Sequence, residues 1–266
     1  MSTSPVPLDR VRFETSGAVA VLTVSRPEAR NAMTWEMYDS LVDACDRVDG
    51  DQQLRAFVIR STGTQAFISG TDISQFTSVE TPEAAIAYER HLDSVIDRLE
   101  RVKVPTIAQV QGVAAGGGCA IAIACDMRVC APQASFGIPV SRTLGNCLSA
   151  ANYGRLVDLI GPARTKDILF TGRLIEAAEA QALGLVTHLV SADGLDDAVR
   201  ELTDTLAARA PLTIRATKEA VRRIQARRRL APVEADDLIS LCYGSADFRE
   251  GVAAFLAKRP PVFTGR

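Results

Sequence analysis

Three consecutive glycines, Gly116 to Gly118, most constrain what this chain can fold into. The apolar run over 104–110 before them is typical of a buried strand, and the apolar run over 120–124 after them predicts a short buried helix. Glycine has no Cβ, so a ligand or another stretch of backbone can approach this turn closely. The first N–H groups of a helix lack intrahelical partners and lie at the positive end of the helix dipole. The turn therefore favours an anion, or an oxygen that becomes anionic during a reaction.

Two interpretations of the glycine run stay open on these residues alone. The run is either such a ligand site or a place where a helix packs tightly on a strand. It does not follow the pattern G-x-G-x-x-G, and the chain contains no G-x-x-x-x-G-K-[ST]. The dinucleotide-binding and P-loop classes are therefore not supported.

A second glycine turn favours the ligand site. Residues 56–60 read as another buried strand, and the segment 66–73 then ends in Ser69, Gly70, Thr71 and Asp72 before a polar stretch. Two turns of this type can each direct one N–H to the same oxygen. That is the arrangement of an oxyanion hole.

The two turns, with Gly117 placed 46 residues after Thr71, resemble the crotonase (enoyl-CoA hydratase/isomerase) superfamily. Three further segments strengthen the resemblance, which covers nearly the whole chain. They are 25–33, similar to the family's N-terminal CoA segment; 171–173 with 182–186, similar to its later signature; and 247–252 with Phe255, Lys258 and Arg259, similar to its closing helix.

The resemblance implies an α/β fold, a spiral of repeated ββα units followed by a helical C-terminal trimerisation region. Alternating strands and helices up to Val140 independently indicate a mixed α/β core. We expect residues 1–200 to form the acyl-CoA-binding core and residues 201–266 the helical region. A homotrimer or a dimer of trimers is expected, and a set of C-terminal apolar residues is too large for one helical layer to bury alone. These residues are Leu238, Ile239, Phe248, Val252 and Phe255.

Local patterns predict several elements directly. Alternation over 12–25 around Ser16-Gly17 predicts a hairpin. A helix is expected after Thr34, and another from Pro82 to about Val102. From Asn152 onward we expect helices with one short strand within 185–190. The apolar face of the helix after Thr34 is predicted to be Met37, Leu41, Ala44, Cys45 and Val48.

The resemblance also implies the site. An acyl-CoA thioester carbonyl is expected between the backbone N–H groups of Thr71 and Gly117, with coenzyme A present as part of the substrate and no other cofactor. Lys258 is expected to reach phosphate oxygens, from its own or a neighbouring subunit. The expected substrate-binding residues are Ala29, Arg30, Ser69, Gly70, Asp72, Ile73 and Lys258.

Two carboxylates of the hydratase branch are missing from the expected positions. The position after the glycine run and its neighbour is Ala120, and the position after Phe136-Gly137-Ile138-Pro139 is Val140. Neither side chain transfers a proton, so a standard two-glutamate hydration is unavailable. Isomerisation, C–C cleavage, thioester hydrolysis and dehydration stay open, as does a catalytically silent acyl-CoA-binding homologue.

Three residues are candidates for the missing chemistry, each with a structural alternative. Asp93 is either a base at the edge of an apolar helix stripe or a solvated aspartate, and the solvated reading is favoured. Cys147 is either a nucleophile or an inert small residue, the second being favoured. Asn146 donates and accepts hydrogen bonds but is no base.

Composition excludes other classes. The net charge of −2 offers no global basic field for nucleic acid, which leaves RNA binding as a weak third hypothesis. Two histidines and the lack of a C-x-x-C pair argue against a metal site. No apolar run is long enough to span a membrane, and residues 1–12 have no apolar signal core. A cytoplasmic protein is expected.

Overall fold

The computed structural model describes residues 10–79 and 81–266. Ten strands lie in this part of the chain: β1 (Val11–Ser16), β2 (Val19–Val24), β3 (Ala56–Ser61), β4 (Ala66–Ile68), β5 (Thr106–Val110), β6 (Val113–Ala115), β7 (Met127–Cys130), β8 (Ser135–Gly137), β9 (Ile175–Glu176) and β10 (His188–Leu189). They form a six-stranded sheet in the order β1-β2-β3-β5-β7-β10 and a four-stranded sheet in the order β4-β6-β8-β9.

Nine α-helices are seen over the same residues. They are α1 (Trp35–Gly50), α2 (Pro82–Glu100), α3 (Gly117–Ala124), α4 (Ala150–Thr171), α5 (Ala177–Ala182), α6 (Leu195–Ala207), α7 (Pro211–Ala226), α8 (Asp236–Tyr243) and α9 (Ala246–Leu256). Short 3-10 helices span Pro27–Ala29, Ile73–Ser78 and Pro232–Ala235.

The strands follow a spiral. Consecutive strands form the pairs β3/β4, β5/β6 and β7/β8. The first strand of each pair joins the six-stranded sheet and the second joins the four-stranded sheet. Within each sheet these strands run parallel to one another, β3 to β5 to β7 and β4 to β6 to β8. Helices α2, α3 and α4 follow the three pairs in turn. Each turn of the chain therefore adds one strand to each sheet and one helix, which confirms the α/β spiral of ββα units.

The core lies between the sheets and the helices, and its apolar faces follow the sequence pattern. The predicted face of α1 is buried along its whole length, and so is the stripe of α2 formed by Leu92, Val95, Ile96 and Leu99. The predicted hairpin is β1 and β2, paired antiparallel around Gly17. Strand β10 lies within the predicted 185–190, whereas β9 was not predicted because two residues carry no alternation.

The C-terminal helices fold back onto their own chain. Ile239, Tyr243 and Phe248 are buried in one cluster with Phe76 and Tyr88. The expectation that the listed C-terminal apolar residues need another subunit is therefore wrong for Ile239 and Phe248, because α2 and the 3-10 helix Ile73–Ser78 already cover them. Leu238 and Phe255 remain exposed.

The predicted boundary near residue 200 falls inside α6. That helix packs on the six-stranded sheet through Leu195 and Val199, which contact Val58, Ile107 and Val129. The division into a core and a C-terminal region stays a prediction, but α6 clearly belongs with the core.

Candidate functional site

A cavity of about 750 Å³ lies where the two glycine turns meet the C-terminal helices. The turn before α3 and the turn after β4 form one wall, and α2 and the loop between β8 and α4 form another. Phe255, Leu256 and Lys258, at and beyond the end of α9, close the mouth. All the predicted substrate-binding residues contribute to its lining, together with Thr71, Gly117, Asn146 and Cys147.

The turn after β4 leaves the Thr71 N–H available. Met33 N–H donates to the Gly70 carbonyl and Asp72 N–H donates to the Met33 carbonyl, each at 2.8 Å. In such a parallel bridge the residue between the two bonds directs its own N–H to the other side. Gly70 has φ of +124°, a conformation that residues with a side chain rarely adopt.

The glycine run presents a second N–H beside the first. Gly117 begins α3, so its N–H has no intrahelical partner. A Cβ placed on Gly70 would lie 4.0 Å from the Gly117 nitrogen, which shows how closely the two turns approach. A Cβ on Gly118 would lie 2.0 Å from the Ile68 carbonyl oxygen, so this glycine is required for packing. The packing interpretation therefore holds at Gly118, whereas the ligand-site interpretation stays a prediction for Gly117 beside it.

The side chain of Thr71 is held at the back of the site. Its Oγ1 lies 2.9 Å from the hydroxyl of Tyr38, which is fully buried on α1. A Cβ on Gly117 would lie 2.3 Å from that same hydroxyl. Tyr38 therefore fills the space that the missing side chain of Gly117 leaves open.

Charged residues of the predicted CoA segment lie at the mouth of the cavity. Asp72 pairs with Arg26 at 2.7 Å and accepts from the Ser74 N–H. These contacts hold the Asp72 pKa below its usual range against the opposing effect of burial. Arg30 and Lys258 are both exposed and both line the cavity, so the two cations are open to a phosphate. Lys258 lines the cavity of its own chain.

Asn146 and Cys147 line the inner part of the cavity. Asn146 Nδ2 donates to the Tyr243 hydroxyl at 3.0 Å. Cys147 Sγ donates to the Leu238 carbonyl at 3.5 Å. Hydrogen bonding to Cys242, together with burial, raises the pKa of the Cys147 thiol. This favours the thiol, whereas a nucleophile needs the thiolate.

The favoured expectation that Asp93 is a solvated aspartate is wrong. It is half-buried, and it accepts from the Ser149 hydroxyl at 2.6 Å at the start of α4. Burial raises the pKa of Asp93, against the hydrogen bond from Ser149. Within the part of the chain that the structure describes, Asp93 is not among the residues that line the cavity.

Glu89, one turn earlier on α2, does line the cavity, as do the carboxylates of Asp72 and Glu28. Glu89 is 4% exposed, and the Tyr243 hydroxyl donates to its Oε1. Burial raises the pKa of Glu89 to about 8, a shift that the hydrogen bond from Tyr243 opposes and the charge of Asp93 reinforces. The sequence analysis does not single out Glu89, although the available signal is an acidic residue within the apolar stripe of α2, three and seven residues before Leu92 and Ile96.

The two positions expected to carry hydratase glutamates are also in the lining. Ala120 lies in the first turn of α3 and Val140 follows β8, and both contribute only hydrocarbon to the wall. Residues 14–266 match the family described as Enoyl-CoA hydratase/isomerase. The chain belongs to this family.

Individual relatives of the enoyl-CoA hydratase/isomerase family span the whole chain. A probable mitochondrial enoyl-CoA hydratase 2 of Arabidopsis thaliana is 33% identical, covering 100% of this chain and 88% of that protein. A short-chain-enoyl-CoA hydratase of Clostridium acetobutylicum is 31% identical, covering 95% and 96%.

Solved structures give the same family. Methylmalonyl-CoA decarboxylase in complex with 2-nitronate-propionyl-CoA superposes with a TM-score of 0.88 at 25% identity, covering 97% of this chain and 99% of that one. An enoyl-CoA hydratase/carnithine racemase of Magnetospirillum magneticum gives 0.79 at 32% identity, covering 97% of each chain.

Residues 10–79 and 81–266 contain neither a metal-type cluster nor a membrane-spanning helix. No three His, Cys, Asp or Glu side chains there come together as a metal site would require. No helix in those residues has the length and apolar character needed to cross a membrane.

Proposed function

We propose that this chain is an acyl-CoA-processing enzyme that stabilises a thioester enolate between the backbone N–H groups of Thr71 and Gly117. The observation that carries the proposal is the meeting of these two N–H groups in one cavity with the residues expected to hold coenzyme A. Arg30 and Lys258 at its mouth supply charge for phosphate groups. Coenzyme A enters as part of the substrate, and no other cofactor is proposed.

The chemistry follows from where charge develops. Loss or gain of a proton, or of a carbon substituent, next to a thioester places negative charge on the carbonyl oxygen. Donors already oriented towards that oxygen stabilise this charge more than the neutral substrate, by about 3 kcal/mol each. Because both donors are main-chain groups, a threonine serves at position 71 as well as any other residue.

We propose further that the reaction is not the standard two-glutamate hydration. Ala120 and Val140 stand where the resemblance expects the two carboxylates, and neither side chain moves a proton. A lost acid or base costs about 10²–10⁴ in rate, and both are absent here. Isomerisation and lyase reactions stay open, and relatives of this chain are named both as hydratases and as a decarboxylase.

Turnover of crotonyl-CoA tests this part of the proposal. We expect hydration, measured as the loss of the enoyl absorbance, to be slow or undetectable. Turnover comparable to an ordinary hydratase, measured in parallel as the control, would contradict our assignment of Ala120 and Val140.

The second candidate is a catalytically silent acyl-CoA-binding homologue, which the apolar residues at 120 and 140 favour. A panel of enoyl-CoA, 3-hydroxyacyl-CoA and saturated acyl-CoA thioesters separates the two candidates. Turnover of any of them supports the enzyme, whereas binding of several without turnover of any supports the silent homologue. A homotrimer or dimer of trimers and a cytoplasmic location remain proposals of the same kind.

A further inference from the structure

A buried carboxyl group lines the cavity and has no role in the function proposed so far. Glu89 projects from α2 into the wall that also contains Leu92, Leu148 and the apolar Ala120 and Val140. Most buried carboxylates are paired with a cation. The hydrogen-bond partner here is instead a neutral phenol, Tyr243 of α8.

A directed chain of hydrogen bonds holds this carboxyl group. Asn146 Nδ2 donates to the Tyr243 oxygen, so the phenol directs its own O–H to Glu89 Oε1. The backbone N–H of Ser149 also favours the ionised carboxylate. Three elements thus converge on Glu89: α2, α8 and the loop that leads into α4. Such a construction fixes the position of a carboxyl group and lets it exist in both protonation states.

This chain of hydrogen bonds also contains a side-chain oxygen without a hydrogen-bond partner. Asn146 Oδ1 is buried, and it has no hydrogen-bond partner among the residues that the structure describes. Buried side-chain oxygens are usually paired, so an isolated one in a cavity wall is a place for a polar group of a ligand. Asn146 itself belongs to the cavity lining.

Glu89 also lies close to the proposed oxyanion hole. Its charge raises the pKa of both Tyr38 and Tyr88, after the larger effect of burial on each. These are the two tyrosines whose hydroxyls interact with the Thr71 side chain. The carboxyl group and Thr71 line the same cavity.

We infer that Glu89 is the catalytic acid and base that moves a proton to and from the acyl carbon next to the thioester. The inference rests on the proposed function. In one direction the enolate carbon takes the Glu89 proton: the O–H bond breaks, the enolate electron pair forms the new C–H bond, and the thioester carbonyl is restored. In the other direction the carboxylate removes that proton and the electron pair moves onto the carbonyl oxygen, facing Thr71 and Gly117.

Tyr243 is inferred to be a positioning residue that acts through Glu89. Its O–H stabilises the carboxylate left after proton transfer and so sets the pH at which Glu89 ionises. The titratable groups facing Glu89 are Tyr88 and Asp93 on α2, Tyr243 on α8 and Cys147 in the loop before α4, with Tyr38 behind Thr71. Among them, the charge of Asp93 raises the pKa of Glu89 and so favours its protonated form.

Deuterium exchange tests the inference without knowledge of the natural reaction. The probe is butyryl-CoA in D₂O, with the acyl mass followed by mass spectrometry and binding followed by calorimetry. We expect the wild-type protein to catalyse exchange, with a rate that rises with pH as Glu89 becomes ionised. Glu89→Gln is expected to lower the exchange rate about 10²-fold or more, with the butyryl-CoA Kd changed less than about threefold.

Two further variants separate catalysis from structure. Tyr243→Phe removes the donor to the carboxylate, so the midpoint of the pH–rate profile should move to higher pH, which a purely structural loss would not cause. The matched control is Asp97→Asn, because Asp97 is a half-exposed acid on the same helix whose partner is Arg101. It should leave rate and profile unchanged. Circular dichroism checks that each variant is folded.

The outcomes are distinct. Exchange that survives Glu89→Gln in a folded protein overturns the inference and leaves the oxyanion hole standing. Butyryl-CoA binding to the wild-type protein without any exchange also overturns it. Failure to bind butyryl-CoA or free coenzyme A contradicts the proposed function itself.

Discussion

At the scale of single residues, the site depends on a contact between a glycine and a tyrosine. A Cβ on Gly117 would lie 2.3 Å from the Tyr38 hydroxyl but 3.6 Å from the ring carbon that bears it. We therefore expect Gly117→Ala to destabilise the protein by about 1–3 kcal/mol through overpacking. Adding Tyr38→Phe should recover most of this loss, because the colliding oxygen is gone. Urea denaturation of the wild type, the two single variants and the double variant measures the coupling free energy between Gly117 and Tyr38.

These alanine and phenylalanine variants test the packing around Gly117 more directly than a proline substitution does. Gly117→Pro removes the N–H that should face the thioester oxygen, but its ring collides with Tyr38 as well. If Gly117→Ala is as stable alone as in the double variant, the proposed packing of Tyr38 against Gly117 is wrong.

The ionisation of Glu89 should appear in the pH dependence of stability. Its pKa is about 8 in the folded chain and near the ordinary value of 4.5 in the unfolded one. Below the lower value both states hold the proton. Between the two values only the folded state does, so the contribution of Glu89 to stability falls as pH rises, by about 1.4 kcal/mol for each pH unit. Above the upper value the loss is complete.

The expected result is a difference between two proteins. Between pH 5 and pH 8 the free energy of unfolding of the wild-type protein should fall relative to that of Glu89→Gln, when both are measured by urea denaturation. Parallel curves over this range would show that Glu89 ionises normally in the folded protein.

Local and distant residues differ in what the sequence reveals. Thr71 and Gly117 belong to glycine turns whose conformations are set by neighbouring residues, and the structure brings the two turns together as expected. Glu89 meets Tyr243 from 154 residues away. No local pattern encodes that meeting, because it depends on how α8 folds back over α2. The sequence pattern favours the nearby Asp93 as the candidate acid, because Asp93 lies at the edge of the apolar stripe whereas Glu89 lies within it.

At the scale of elements, α3 is short and almost entirely apolar, and a buried arginine stabilises its C-terminal end. The guanidinium of Arg128 donates to the carbonyls of Ala122 and Cys125 at 3.1 and 2.7 Å, and also to those of Leu185 and Asp126. A cation at the negative end of the helix dipole adds a favourable interaction. The anchored helix in turn holds Gly117 at its other end.

We expect Arg128→Met to lower the free energy of unfolding by about 3 kcal/mol or more, because it leaves several buried carbonyls unpaired. The matched control is Arg60→Met on β3, which loses one side-chain hydrogen bond to Thr23 at 3.2 Å and should cost about 1 kcal/mol or less. Equal losses for the two variants, in urea denaturation, would show that Arg128 does not anchor α3.

Elements in which an apolar pattern repeats over many residues could be predicted from the sequence. Elements that depend on a single local or tertiary contact could not. Helices α1 and α2 follow the expected faces along their whole length. Helix α4 is interrupted at Gly161, where φ is +75° before Pro162, and no periodicity reports such a break. Strand β9 exists because Ile175 meets Phe136 on β8, so its position depends on the folded spiral.

At the scale of the whole molecule, α7 is the helix that the single chain leaves uncovered. None of its residues is buried, although it carries an apolar stripe at helical spacing. Val221 and Ile224, three residues apart on this stripe, are 49% and 61% exposed. Exposed Leu238 and Phe255 add to the apolar surface of the C-terminal region. Surfaces of this kind mark contacts with another protein, and in homo-oligomers with another copy.

We therefore expect a homotrimer or a dimer of trimers that buries the stripe of α7. Replacing both Val221 and Ile224 with Glu should shift the protein to monomers at micromolar concentration, because the six or twelve buried carboxylates without cations would oppose assembly. Arg215→Gln is the control: it lies on the same helix but off the stripe, and it should leave the assembly intact. Light scattering after size-exclusion chromatography measures the masses. A wild-type monomer, or a double variant that assembles as the wild type does, would show that the stripe of α7 is not the interface, and the apolar face would then need a different partner.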